Sequence, residues 1–133
     1  MADQAPPLWA AVRSYREDQA AVRQFAADQA SRAGLAEDRI RDLVIAVGEL
    51  AGNTLVHTDG PGTLSVWATK DELICQIQDQ GWIRDPLAGS RCPDPAAPGG
   101  GRGLWVVNQI CDLVELRTGP DGTTIWLHLN LAG

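Results

Sequence analysis

An α+β fold is what this sequence predicts: a two-layer sandwich with three helices packed on one face of a mixed, mostly antiparallel sheet. Three observations carry that expectation. Apolar residues recur at helical spacing in two long stretches before residue 57 and in a shorter one after residue 101. Between and after them lie runs that alternate at period two and are joined by tight-turn sequences. At 133 residues, 44% of them hydrophobic, the chain has the length of one domain and the apolar content for a single core.

Taken in order, residues 1–14 read as a leader, with a short edge strand expected within Leu8 to Tyr15, and residues 15–133 as the domain itself. From about Arg16 to Ala33, Ala20, Ala21, Phe25, Ala26 and Ala30 fall at helical spacing, and Gly34 stands where a left-handed residue ends a helix. A second helix is predicted from about Ala36 to Val56, with Ile40, Leu43, Val44, Val47, Leu50, Ala51 and Leu55 as its buried stripe. Asp59-Gly-Pro-Gly62 breaks it. Strands follow at about Thr63–Thr69 and Leu73–Asp79. The segment at about 82–100, rich in Pro and Gly, is too long and irregular for a core element and reads as a lid. The third helix begins near Gly101–Leu104 and turns Leu104, Val107, Ile110 and Cys111 inward. Strands at about Leu113–Thr118 and Thr123–Leu129 flank the Gly119-Pro-Asp-Gly122 turn.

Charge and composition exclude several function classes. A net charge of −6 does not suit an electrostatic grip on nucleic acid or on an anionic membrane. No apolar run approaches the ~20 residues of a membrane helix, and the N-terminus lacks the basic start and apolar stretch of a signal peptide. A cytoplasmic location is therefore expected. Cys75, Cys92 and Cys111 are odd in number and have no metal-ligand spacing, which predicts reduced thiols. Lys70 is the single lysine and sits at a strand end, so a P-loop lysine has no place here. His57 and His128 form no metal pair, and His128 falls on the exposed phase of the last strand.

Three short motifs remain, in the order one nucleotide pocket needs them. Glu49 and Asn53 lie four apart on one side of the second helix, where a carboxylate can polarise a nucleophile and an amide oxygen can hold Mg²⁺. Gly48 and Gly52 bracket Glu49 despite costing about 1 kcal/mol each in a helix, as if something approaches the backbone there. Alternation in the strand puts Asp79 on the face of Leu73, Cys75 and Ile77, so its carboxylate projects inward and needs a partner. An adenine amine is a suitable donor, and Gly81 leaves room for the base. Thr123 shares a face with Ile125, Leu127 and Leu129, within reach of the same base directly or through water. Finally, Gly99, Gly100, Gly101, Arg102 and Gly103 run into Leu104 at the start of a helix. That arrangement offers backbone N–H groups, a helix dipole and a guanidinium to phosphate.

With these residues in place the chain resembles the histidine-kinase-like (GHKL, or Bergerat) ATPases. Within that superfamily it is similar to the anti-sigma-factor serine/threonine kinases of actinobacteria. The stretches Asp42–Asn53 and Gly101–Glu115 carry the similarity most strongly, and it extends from about Tyr15 to Leu129. The resemblance implies ATP and Mg²⁺ as cofactors, Glu49 as general base, Asn53 as metal ligand and Asp79 as acceptor of the adenine amine. It also implies that Gly101 and Gly103 flank the phosphates. As partners it implies an anti-anti-sigma protein bearing the acceptor Ser or Thr, a competing sigma factor, and a homodimer.

The function expected is an ATP-dependent protein serine/threonine kinase that also sequesters a sigma factor. The alternative is a nucleotide-sensing, protein-binding module of the same fold without phosphotransfer. The catalytic half of a two-component histidine kinase fits less well, because no phosphoacceptor helix is present.

Overall fold

A computed structural model describes residues 5–81 and 102–131. The leader's first four residues and the predicted lid, with Trp82, Cys92, Gly99, Gly100 and Gly101, lie outside the described residues. Strand β1 (Ala11–Tyr15) is followed by α1 (Gln19–Ala33), α2 (Glu37–His57), β2 (Gly62–Ala68) and β3 (Glu72–Asp79). Then come α3 (Arg102–Ile110), β4 (Leu113–Gly119) and β5 (Gly122–Asn130). The strands form one five-stranded sheet in the order β1-β2-β3-β5-β4. Every described pairing is antiparallel, so the sheet is not mixed.

Helix α1 starts later than its spacing suggests and ends at Gly34, whose φ of 89° lets its N–H cap the last carbonyls. Val22, Ala26 and Ala30 form its buried line, whereas Ala20 and Ala21 are exposed. On α2 the buried line is Leu43, Ala46, Val47, Leu50, Ala51 and Thr54. A threonine therefore closes the apolar stripe where Leu55 was expected to. Leu104, Val107 and Cys111 bring α3 onto the same core.

The helix-facing side of the sheet contributes Tyr15, Leu64, Val66, Leu73, Cys75, Ile77, Ile125, Leu127 and Leu129 to that core. Asp79 and Thr123 belong to this face by strand parity, and they are cross-strand neighbours. Cys75 and Cys111 are free and buried. Burial pushes the Cys111 thiol up to about 12 and the Cys75 thiol above its ordinary range, which leaves both as inert core residues.

On the opposite face Trp67, Ile74 and Trp126 pack together, and Trp126 Nε1 donates to Gln76 Oε1 at 2.9 Å. His128 lies on this face at 4% exposure, which corrects the expectation that it meets solvent. Its ring nitrogens stand 3.2 Å from Glu72 Oε2 and 2.8 Å from Glu115 Oε1, so carboxylates occupy the positions water was expected to fill.

The corner between helices and sheet is fastened by Arg39. Its guanidinium donates to Asp42, to Asp112 and to the carbonyl of Ile110, while Asp112 also accepts the N–H of Asn130. These bonds tie α2 to the α3–β4 junction and to the end of β5. They thereby fix the C-terminal end of α3 against the first turn of α2.

Candidate functional site

Helix α2 carries the site, and three of its residues point to two poles. Asp79 ends β3 and is held from two sides. Its Oδ2 accepts the Thr54 hydroxyl at 2.7 Å, and its Oδ1 accepts the N–H of Gly81 at 2.9 Å. Each carboxylate oxygen thus has one protein donor and keeps a lone pair for another. Thr54 is fully buried. Its oxygen lies 2.8 Å from the hydroxyl of Tyr15 and 3.3 Å from the Leu50 carbonyl.

Tyr15, at the end of the edge strand, is 3% exposed. Burial pushes its phenol up to about 12 from an ordinary 10.0. The nearby Asp79 charge adds to that rise. Gly62 is opposite Tyr15 in the β1–β2 register, and a methyl group there would overlap the tyrosine ring. Next to it, Arg16 donates to the Gly60 carbonyl at 2.7 Å, which anchors the chain just beyond α2.

The turn after Asp79 is similarly fixed. Thr123 donates to the Gly81 carbonyl at 2.7 Å. With that proton committed, Thr118 is the donor in its 2.7 Å contact with Thr123. Gly122, at a φ of 135°, lies against the Asp79 carbonyl so closely that a side chain would collide with it. At Gly81 an added Cβ would stand 3.0 Å from Thr58 Cγ2 and 3.1 Å from Asp79 Oδ1. A side chain there would therefore crowd the carboxylate and Thr58.

The second pole is at the start of α3. An added Cβ on Gly103 would lie 3.0 Å from Glu49 Oε1 and 3.5 Å from both amide atoms of Asn53. Gly103 thus lets the first turn of α3 approach the two side chains singled out on α2. The carboxylate and amide oxygens gathered there are donors of the kind a hard divalent cation takes, so the residues fit Mg²⁺. Among the described residues no group of three or more His, Cys, Asp or Glu is arranged to hold a metal by itself. Any such ion needs oxygens from a ligand or from water as well.

Of the glycine-rich stretch, the structure describes the backbone of Arg102 as the first residue of α3, and Gly103. Leu104 turns its side chain into the core, so what it offers a ligand is its backbone. The two glycines flanking Glu49 serve different ends. At Gly48 an added Cβ would stand 3.2 Å from Arg23 Cδ of α1, whereas at Gly52 nothing comes within 4 Å. Close approach therefore explains the first glycine and not the second.

Sequence reasoning singled out neither Tyr15 nor Thr54 as a site residue. The signal for Thr54 was a polar residue in phase with Leu43, Val47 and Leu50. For Tyr15 no local signal existed, because its partner lies 39 residues away.

A model of the histidine kinase-like ATPase domain matches residues 12–129. The serine-protein kinase RsbW of Halalkalibacterium halodurans is 33% identical over 99 residues, covering 65% of this chain and 60% of that protein. The chain therefore spans about three fifths of that relative's length. Among solved structures, the Acinetobacter baumannii histidine kinase AdeS superposes with a TM-score of 0.56 at 13% identity, over 95% of this chain and 70% of that one. That likeness is one of fold. With the match spanning nearly the whole described structure, the chain belongs to the histidine kinase-like ATPase domain family, the GHKL ATPases.

Proposed function

We propose that this protein is an ATP-dependent serine/threonine kinase of the anti-sigma type, which phosphorylates an anti-anti-sigma partner and in its other state sequesters a sigma factor. One observation carries the reading. Glu49 and Asn53 meet the glycine at the start of α3, while Thr54, the next residue of the same helix, grips Asp79. A single helix thereby holds a base-recognising carboxylate and a phosphate-side pair in fixed relation. The similarity to a serine-protein kinase supports the choice of acceptor.

In this reading Asp79 accepts a hydrogen bond from the adenine 6-amino group, in the space that Gly81 leaves. Thr123 contributes through the turn, by holding the Gly81 carbonyl. Phosphates would lie at the start of α3, by Gly103 and the N–H groups of the first turn; Gly99, Gly100, Gly101 and Arg102, which precede Gly103 in the sequence, are assigned to the same role from the motif alone. The Asn53 amide oxygen would hold Mg²⁺, which would supply charge neutralisation for the phosphates. Glu49, which is exposed to an incoming protein, takes the proton of the partner's Ser or Thr hydroxyl as its oxygen bonds to the γ-phosphorus. The bond to the β-γ bridging oxygen breaks, and ADP is left.

The test is phosphoryl transfer from labelled ATP to a candidate Ser-bearing partner, with Glu49→Gln alongside. Transfer by the wild type and a loss of ~10²–10⁴-fold in the variant, with ATP binding kept, is the expected result. Saturable ATP binding without transfer to any tested partner would favour the nucleotide-sensing module instead. No ATP binding at all would sink both.

A further inference from the structure

We propose that Tyr15 is a positioning residue for the nucleotide base: acting through Thr54, it fixes the Asp79 carboxylate as a pure acceptor and so sets selectivity for a purine bearing a 6-amino group. The inference rests on the reading that Asp79 receives that amine.

A threonine hydroxyl has one proton to give. At Thr54 it has two acceptors to choose from, Asp79 Oδ2 at 2.7 Å and the Leu50 carbonyl at 3.3 Å. The tyrosine decides between them. With the Thr54 proton on Asp79, the 2.8 Å contact to Tyr15 has to be a donation from the phenol into the Thr54 oxygen. A donor at its oxygen polarises the threonine O–H and strengthens its bond to the carboxylate. The chain Tyr15 to Thr54 to Asp79 therefore has a single direction, and each member donates towards the acid. The phenol stays protonated throughout the neutral range because burial holds it up to about 12.

Donors on both carboxylate oxygens, Thr54 on one side and the Gly81 N–H on the other, fix the plane of the carboxylate. An acid held that way meets the 6-oxo group of inosine or guanine with acceptor against acceptor. If the tyrosine donor is removed, the Thr54 proton is free to swing to Leu50. Asp79 then loses a donor and turns more easily, so its oxygens are no longer held where a 6-amino group meets them and a 6-oxo group opposes them.

The experiment compares affinities for ATP and inosine triphosphate by calorimetry in the wild type, Tyr15→Phe, Thr54→Val, Thr54→Ser and the Tyr15→Phe/Thr54→Val pair, with far-UV circular dichroism confirming the fold. Tyr15→Phe and Thr54→Val are each expected to weaken ATP binding about five- to tenfold and to narrow the ATP preference by a similar factor. Thr54→Ser keeps the hydroxyl and should keep the wild-type preference. Because Tyr15 acts through Thr54, the double variant should be no worse than Thr54→Val alone. A Tyr15→Phe protein with an unchanged preference, or losses that add in the double variant, would overturn the inference and leave the Asp79 reading intact. A wild type that binds ATP but is indifferent to Asp79→Asn would overturn both.

Discussion

Raising the pH should show whether Tyr15 is as enclosed as the structure describes. It is the chain's single tyrosine, so phenolate absorbance in the near ultraviolet reports on it alone. Its phenol is moved from 10.0 to about 12 by burial, a rise of about two units. At about 1.4 kcal/mol per unit this corresponds to roughly 3 kcal/mol of folding free energy. The sign follows from which state ionises first. An unfolded chain releases the phenolic proton at 10.0, whereas the folded chain holds it to about 12. The contribution is therefore complete below 10.0 and is lost progressively as the pH rises to about 12. In an alkaline titration followed by absorbance and circular dichroism together, phenolate should appear only as the helical signal is lost. Urea midpoints should fall across the same window in the wild type and stay flatter in Tyr15→Phe. A phenolate transition centred near the ordinary value, with the helical signal intact, would refute the argument.

Other predictions concern the site and its frame. Asp79→Asn should lower ATP affinity by about one to two orders of magnitude, the value of a charged hydrogen bond of ~1.5–3 kcal/mol, and calorimetric titration will show whether it does. Gly62→Ala places a methyl group where the Tyr15 ring now lies. A loss of ~1–3 kcal/mol from overpacking is expected in urea denaturation, accompanied by weaker ATP binding. The Asp112 carboxyl is held below the usual range, chiefly by the Asn130 N–H and also by Arg39. Its stabilisation is therefore present above the ordinary 3.8 and lost as the pH falls through the folded value. Asp112→Asn should flatten the acid limb of the stability profile, as read from urea midpoints at descending pH.

The sequence yielded the order and type of the elements because each rests on a local signal. Period 3.6 carried α1 to α3, period two the strands, and Gly34 the end of α1. Glu49, Asn53 and Asp79 were legible for the same reason, since parity and helical spacing tell which way each side chain points. What local signals cannot carry is pairing across the chain. The purely antiparallel sheet depends on β5 inserting between β3 and β4, and nothing in any one strand announces that. His128 was misplaced because parity gave the correct face but not its burial. Thr54 was undervalued because a polar residue on an apolar stripe looks like the end of the stripe. Its value lies in Asp79, 25 residues later.

The linkage between Tyr15, Thr54 and Asp79 has a consequence for how the domain comes together. Their contacts span 39 and 25 residues, and they join the outermost strand to the longest helix and the central strand. No early folding unit made of neighbouring elements contains all three, so the Asp79 carboxylate becomes fully constrained only when β1 docks. A ligand held by that carboxylate would therefore select the completely folded chain over any form with a frayed edge. At a hundred times its dissociation constant it would add ~2.7 kcal/mol to the apparent stability of the domain. In hydrogen exchange the gain should reach β1 as well as β3, although β1 lies two strands away from the carboxylate. The edge of the sheet, ordinarily the first part to open, would then be locked by what binds at its middle.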